Sequence, residues 1–272
     1  MKLSKKWFAM IAMAVAVLGL SACDQGKSTA AKTEAKEATL AETLASSKIL
    51  RVGTEGTYPP FTFHDKDGNL TGFDVEVTRE VAKRLGLEVQ FFETQWDAMF
   101  AGLNAKRFDI IANQVDLSNP ERQQKYLLSE PYNFERSVVV TPVETPNLTA
   151  LDEVKGKKSA QSINSSYYVL AKENGAEILP VEGMAQALEL VKQKRADLTL
   201  NGQLAILDYL KQQPNSGLKI AYRDDNKIGS GFVFLKGNDE VVAEFNRTLN
   251  DMRGDGSLKA LSVQWFGDDV TE

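Results

Sequence analysis

From Ile49 onward the hydrophobic pattern keeps changing its period, and that alternation is the strongest restriction on the fold. "ILRVGT" (residues 49–54) is a short strand-like run. "FTFHDKDGNLTGF" (61–73) carries a hairpin signal at Asp67-Gly68. "FDVEVTREVAKRLG" (73–86) then places Val77, Val81 and Leu85 on one helical face, with Gly86 positioned to end the helix. "EVQFFE" reads as a strand, "WDAMFAGLNAKR" as a helix, and "FDIIAN" as a strand that stops at Asn113-Gln114. After Tyr132 the pattern restarts: strands at "SVVVT", "GKKSAQS", "AEILPV" and "ADLTLN" alternate with helices at "SSYYVLAKENG", "MAQALELVKQKR" and "QLAILDYLKQQ".

Strands alternating with helices demand parallel sheets covered on both faces. Two such blocks predict an α/β protein of two lobes, each a mostly parallel sheet flanked by helices. The tail, 239–267, supplies two amphipathic helices that need a sheet to cover. The start of the chain is different. Lys2, Lys5 and Lys6 precede the apolar "WFAMIAMAVAVLGL", the form of a signal peptide over 1–22 and too short for a comfortable membrane span. "LSAC" (20–23) resembles a bacterial lipobox, which would acylate Cys23 and make it the mature N-terminus; the plainer alternative is an ordinary secretory signal with an incidental cysteine. Residues 23–47 lack aromatic residues and read as a flexible tether.

Cys23 is the one cysteine, so no intramolecular disulfide can form and the exported domain depends on its core. With His64 as the one histidine, no zinc constellation or Ser-His-Asp machinery is available, and no metal or cofactor is expected. Without the signal the chain has 29 basic and 37 acidic residues, a balance of −8 that does not resemble a nucleic-acid binder.

In open parallel sheets ligands sit beyond the carboxyl ends of the strands. That rule selects "GTEGTYPPF", "NQVDLSNPER", "SINSSYY" and "NGQ". Arg122 offers a planar fork for a carboxylate, or else is a surface arginine paired with Glu121 or Glu130. Ser165 and Ser166 stand at a helix start, where free N–H groups favour an anion; Ser165 could be only a cap. Tyr58 and Trp96 offer apolar walls, although Trp96 could be plain core. Asp116 could face an ammonium or be a solvated turn acid. A carboxylate holder, an ammonium holder and aromatic walls together describe a site for a zwitterion.

At these residues the chain resembles the polar amino-acid-binding proteins of bacterial ABC importers, through "GTEGTYPPFTF", "GFDVEV", "WDAMFAGL", "SEPY", "VKGKKSAQ" and "MRGDGSLKAL" over about 49–266. "GTEGTYPPF", "NQV" and "KKSAQS" resemble the cystine-binding branch. The resemblance implies lobe 1 at 48–135 and 230–272, lobe 2 at 136–229, and hinge crossings near 133–136 and 229–231. It implies a non-enzymatic receptor, a monomer held outside the cytoplasm by a lipid on Cys23, that hands L-cystine, or cysteine or another polar amino acid, to a permease.

Arg122 would clamp the α-carboxylate with Ser165 and Ser166. Tyr58 and Trp96 would line the side-chain pocket, Glu55 would reach the distal end, Asn113 and Gln114 would lie beside the amino group, and Ser162 would face the cleft. Where the family has an aspartate for the ammonium this chain has Gly202, and the "DLSNPER" loop is one residue longer than usual. The expectation is therefore that Asp116 supplies the missing charge, and that an aspartate restored at 202 would do so from the opposite lobe. Periplasmic cyclohexadienyl dehydratases share the fold; in such an enzyme Glu55 or Asp116 would be a general acid.

Overall fold

A computed structural model describes residues 38–272; the signal peptide and Cys23 lie outside the described residues. Helix α1 (Leu40–Ser47) precedes β1 (Ile49–Thr54), β2 (Thr57–Tyr58), β3 (Thr62–His64) and β4 (Leu70–Thr71). Then come α2 (Phe73–Arg84), β5 (Glu88–Glu93), α3 (Trp96–Asn104), β6 (Ile110–Asp116), α4 (Pro120–Lys125) and β7 (Tyr126–Leu128). The long strand β8 (Asn133–Pro142) leads into β9 (Lys158–Gln161), α5 (Ser166–Glu173), β10 (Glu177–Pro180), α6 (Met184–Lys192), β11 (Thr199–Gly202) and α7 (Gln203–Gln212). A second long strand, β12 (Leu218–Leu235), returns to α8 (Asp239–Gly254) and α9 (Ser257–Phe266).

The predicted alternation corresponds to β5-β1-β6, joined in parallel with Val52 opposite Phe91 on one side and Ile110 on the other, and to the parallel pair β9-β10. The two long strands pair antiparallel with each other from Leu218↔Pro142 to Ser230↔Asn133. Each passes from one lobe to the other, so the crossings form a two-stranded ribbon. Separate cores lie at its ends. One contains Phe73, Val77, Val81, Phe232, Phe245 and Leu249, with α8 and α9 packed on it. The other contains Val138, Val140, Leu188, Val191 and Ile206. Among the described residues the fold is a two-lobed α/β structure in which β8 and β12 belong to both lobes.

Three expectations change. Residues 40–47, read as tether, form α1, closed by a reciprocal cap between Thr39 and Glu42. Leu44 is buried against the first core; a side chain of that size contributes about 1.5–3 kcal/mol when fully buried. The strand expected to stop at Asn113-Gln114 continues to Asp116, with Gln114 in the left-handed region at φ 48°. Both oxygens of buried Asp74 hold Gln114 there, accepting from its backbone N–H and its Nε2 at 2.7 Å each. Finally, the "NPER" segment is a short helix whose Asn119 side chain accepts from the N–H groups of Glu121 and Arg122, with Pro120 as its first residue.

Candidate functional site

The carboxyl ends of β1, β6 and β9 and the first turn of α5 converge on a cavity of about 720 Å³, including its mouth. Of the ten predicted site residues, Glu55, Tyr58, Trp96, Gln114, Asp116, Arg122, Ser162, Ser165 and Ser166 line it. Asn113 does not. It is buried behind Glu55, where its Oδ1 accepts from the Glu55 N–H at 2.8 Å and its Nδ2 donates to Glu55 Oε2 at 2.6 Å. Its placement is that of a support for Glu55. The Gln114 amide is likewise engaged with Asp74 and with Asn133 at the start of β8.

Arg122 is 6% exposed and makes no ion pair among the described residues. The two acids offered as surface partners by the sequence pair elsewhere: Glu121 with Lys125 at 2.5 Å and Glu130 with Arg253 at 3.5 Å. Its guanidinium lies 5.3 Å from the ring centres of both Trp96 and Phe100, donates to the Asp116 carbonyl at 3.2 Å, and donates to the Asn164 carbonyl of the other lobe at 3.1 Å. Burial lowers its pKa, opposed first by the nearby Asp116 charge. A buried cation stacked on aromatic rings, with donor capacity left over, suits a carboxylate.

Ser165 caps α5, accepting from the Tyr168 N–H at 3.0 Å while donating to the Ser162 carbonyl at 2.7 Å. The expected cap and the expected cavity position are therefore the same residue. Asp116 lines the cavity too, but its Oδ1 accepts from the Ser118 N–H at 2.8 Å and the Ser118 hydroxyl at 2.6 Å, so one oxygen is fixed in a turn.

Sequence reading missed Glu135. It lines the same cavity from β8, is 6% exposed, and accepts from the Leu204 N–H at 3.1 Å. Burial pushes its pKa up to about 8, against that hydrogen bond and with help from Asp74 and Asp116. Burial also pushes Glu55 up to about 7, with the Asn113 amide opposing and Asp97 adding. The lobes are drawn together across the mouth: the Tyr58 hydroxyl donates to Asn201 Oδ1 at 2.6 Å, Asn119 Nδ2 to the Ser166 hydroxyl at 3.2 Å, and Gln95 Nε2 to Glu182 at 3.1 Å.

A two-lobed closure around a cavity of this chemistry agrees with the comparison to known families, where residues 50–268 match the bacterial extracellular solute-binding proteins, family 3. The chain belongs to this family. Among curated relatives of this solute-binding protein, a probable amino-acid ABC transporter-binding protein of Haemophilus influenzae is 55% identical over 86% of this chain and 90% of its own length. The L-cystine-binding protein TcyA of Bacillus subtilis is 48% identical over 98% of this chain and all of its own. Among solved structures, the L-cystine solute receptor of Neisseria gonorrhoeae in its unliganded open conformation is 52% identical, covers 86% of this chain and 100% of its own, and superposes with a TM-score of 0.59. That score is modest for the identity. Lobes bonded across the cleft here and open in the receptor are the kind of difference that produces it.

Proposed function

We propose that this solute-binding protein is a receptor for an amino acid, L-cystine foremost, that delivers it to the permease of an ABC importer and catalyses no reaction. The observation that carries the reading is Arg122, a buried guanidinium without an ion-pair partner in a cavity that also holds buried acids. Arg122 and the N–H groups at Ser165 and Ser166 take the α-carboxylate. Tyr58 and Trp96 flank the side chain, and Ser162 lines the second lobe. Glu55, supported by Asn113, meets the distal ammonium, which cystine has and cysteine lacks. Two relatives at 48% and 52% identity that are named for L-cystine support that choice. A lipid on Cys23 holds the receptor beside its permease, and the receptor acts as a monomer.

The test is isothermal calorimetry with L-cystine, cysteine, glutamine and arginine, followed by analysis of the ligand after incubation. One-to-one heat with L-cystine and unchanged ligand is the expected outcome. Tight binding of glutamine or arginine and none of cystine overturns the ligand. A second reading, a dehydratase, is favoured by one observation: a Glu55 pKa near 7 suits a general acid. Conversion of a prephenate-like acid to product would establish it.

A further inference from the structure

Gly202 adjoins Glu135. A Cβ added at Gly202 would lie 2.3 Å from Glu135 Oε2 and 2.4 Å from Oε1, so the carboxylate fills the volume that any side chain at 202 would need. The backbone does not require glycine there, since φ is −69°. An aspartate at 202 would have to displace the Glu135 carboxylate, the movable end of a flexible side chain, so a charge restored there would come at the expense of Glu135's position.

We propose that Glu135, on the hinge ribbon, takes the ligand's α-ammonium, and that residue 202 is glycine because the Glu135 carboxylate stands in its place. The inference rests on the amino-acid reading above. Three observations support it. Glu135 makes no ion pair among the described residues, although it is almost fully buried. Only Oε2 has a hydrogen-bond donor, the Leu204 N–H, and Oε1 accepts from none of the described groups. Glu135 and Arg122 line the same cavity, and Asp116 lies within electrostatic reach of each.

The plainer role for Glu135 is to cap α7 through Leu204. A Glu135→Gln change separates the two roles, because the amide oxygen still accepts from that N–H while the charge is gone. Charge pairing also predicts proton release. Burial keeps Glu135 protonated near neutrality, and the groups around it are Asp74 on α2, Asp116 on β6, Tyr58 on β2 and Tyr167 on α5, none of them cationic. An arriving ammonium favours the ionised form, so the proton leaves to buffer.

The experiment is calorimetry of the whole protein with L-cystine and with 3,3′-dithiodipropionate, which is cystine without its ammonium groups. Wild type is expected to prefer L-cystine by at least about 30-fold, and Glu135→Gln to lose at least about 30-fold in L-cystine affinity with its thermal midpoint retained. Gly202→Asp alone is expected to weaken binding. Combined with Glu135→Ala, it is expected to recover about tenfold or more over Glu135→Ala by returning a carboxylate to the cleared space. Glu135→Gln binding within threefold of wild type overturns the proposal. Should that variant not fold, wild type binding dithiodipropionate as tightly as L-cystine overturns it instead. A wild type that ignores L-cystine sinks the ligand reading rather than this one. The variants are then read with whichever amino acid raises the thermal midpoint, and if none does, both fall.

Discussion

The two walls of the cleft are built from different materials. Lobe 1 brings charge: Arg122, Glu55 and Asp116, each held by groups beneath or beside it, as Asn113 holds Glu55. Lobe 2 brings neutral groups, namely Ser162, Ser165, Ser166 and Asn201. Glu135 stands between them on the ribbon. On the proposed function, the charged contacts to the ligand come from lobe 1 and the neutral, short-range ones from lobe 2. Binding and closure become separable, because closure is favoured only by contacts that the open form lacks.

The largest effect that would break this comparison is expected at Arg122. Arg122→Ala should reduce L-cystine affinity by about 30-fold to several thousand-fold, since it removes one partner of a desolvated charge pair. Arg122→Lys should recover little, because a point charge cannot reproduce the planar fork that lies against both Trp96 and Phe100. Calorimetry decides it. A loss below threefold would place the carboxylate on lobe 2 alone.

A separate readout is the pH dependence of the unliganded fold. Glu55, Asp74 and Glu135 have folded pKa values raised to about 7, 7 and 8 by burial. A raised carboxyl binds its proton more tightly in the folded than in the unfolded state. Its contribution is therefore complete below the ordinary carboxylate range and is lost as pH rises through the folded value. Within that window each group costs about 1.4 kcal/mol per pH unit. Urea unfolding at pH 5, 7 and 8.5 should show stability falling with pH, and falling less in Glu135→Gln. Equal slopes would mean that Glu135 is ionised throughout.

How much of this was legible in the sequence depends on what each residue answers to. Periodicity found α2, α5 and β5 because their burial repeats locally, and the position of Gly86 matched its φ of 68°. It missed β12, whose burial pattern breaks at the exposed ribbon residues 225–227. It missed α1 although Thr39 and Glu42 carry the capping-box spacing, because the signal is two residues long and the segment's composition suggested coil. Glu135 escaped because strand recognition began at Ser137, four residues into β8. The alternation of buried Asn133, Glu135 and Ser137 uses polar residues where the rule looks for apolar ones. Polar residues on the inward phase of a strand were the available sign.

A smaller effect sharpens the difference between the walls. Tyr58→Phe removes a single cross-cleft hydrogen bond, to Asn201 at 2.6 Å, and leaves the charged contacts intact. Its expected cost is about 2- to 12-fold in affinity, expressed mainly as faster release. Stopped-flow measurement of the off-rate checks this. An unchanged off-rate with a slower on-rate would mean that Tyr58 shapes the open cleft rather than holding it shut.

The smallest effect is expected at Asp116, where the sequence led to expecting one of the largest. Both Asp116 and Glu135 line the cavity, yet they differ in what already satisfies them. Asp116 Oδ1 accepts two hydrogen bonds from Ser118, and the residue is only partly buried, so water can reach what remains. Glu135 has one donor, almost no exposure and no cation. An ammonium gains most from the acid that is least solvated, because the unpaired burial of that acid is what binding relieves. Asp116→Asn, which can still accept from Ser118 through its amide oxygen, should therefore change L-cystine affinity by less than about fivefold. Asp116→Ala should cost somewhat more by loosening the turn that presents its carbonyl to Arg122. The informative quantity is the coupling between Asp116→Asn and Glu135→Gln in a double-mutant cycle. Additive losses would mean two independent acids, while a second loss that vanishes in the absence of the first would mean that both address one ammonium. Should Asp116→Asn cost more than Glu135→Gln, the ammonium is held by lobe 1, and the ribbon acid is a helix cap.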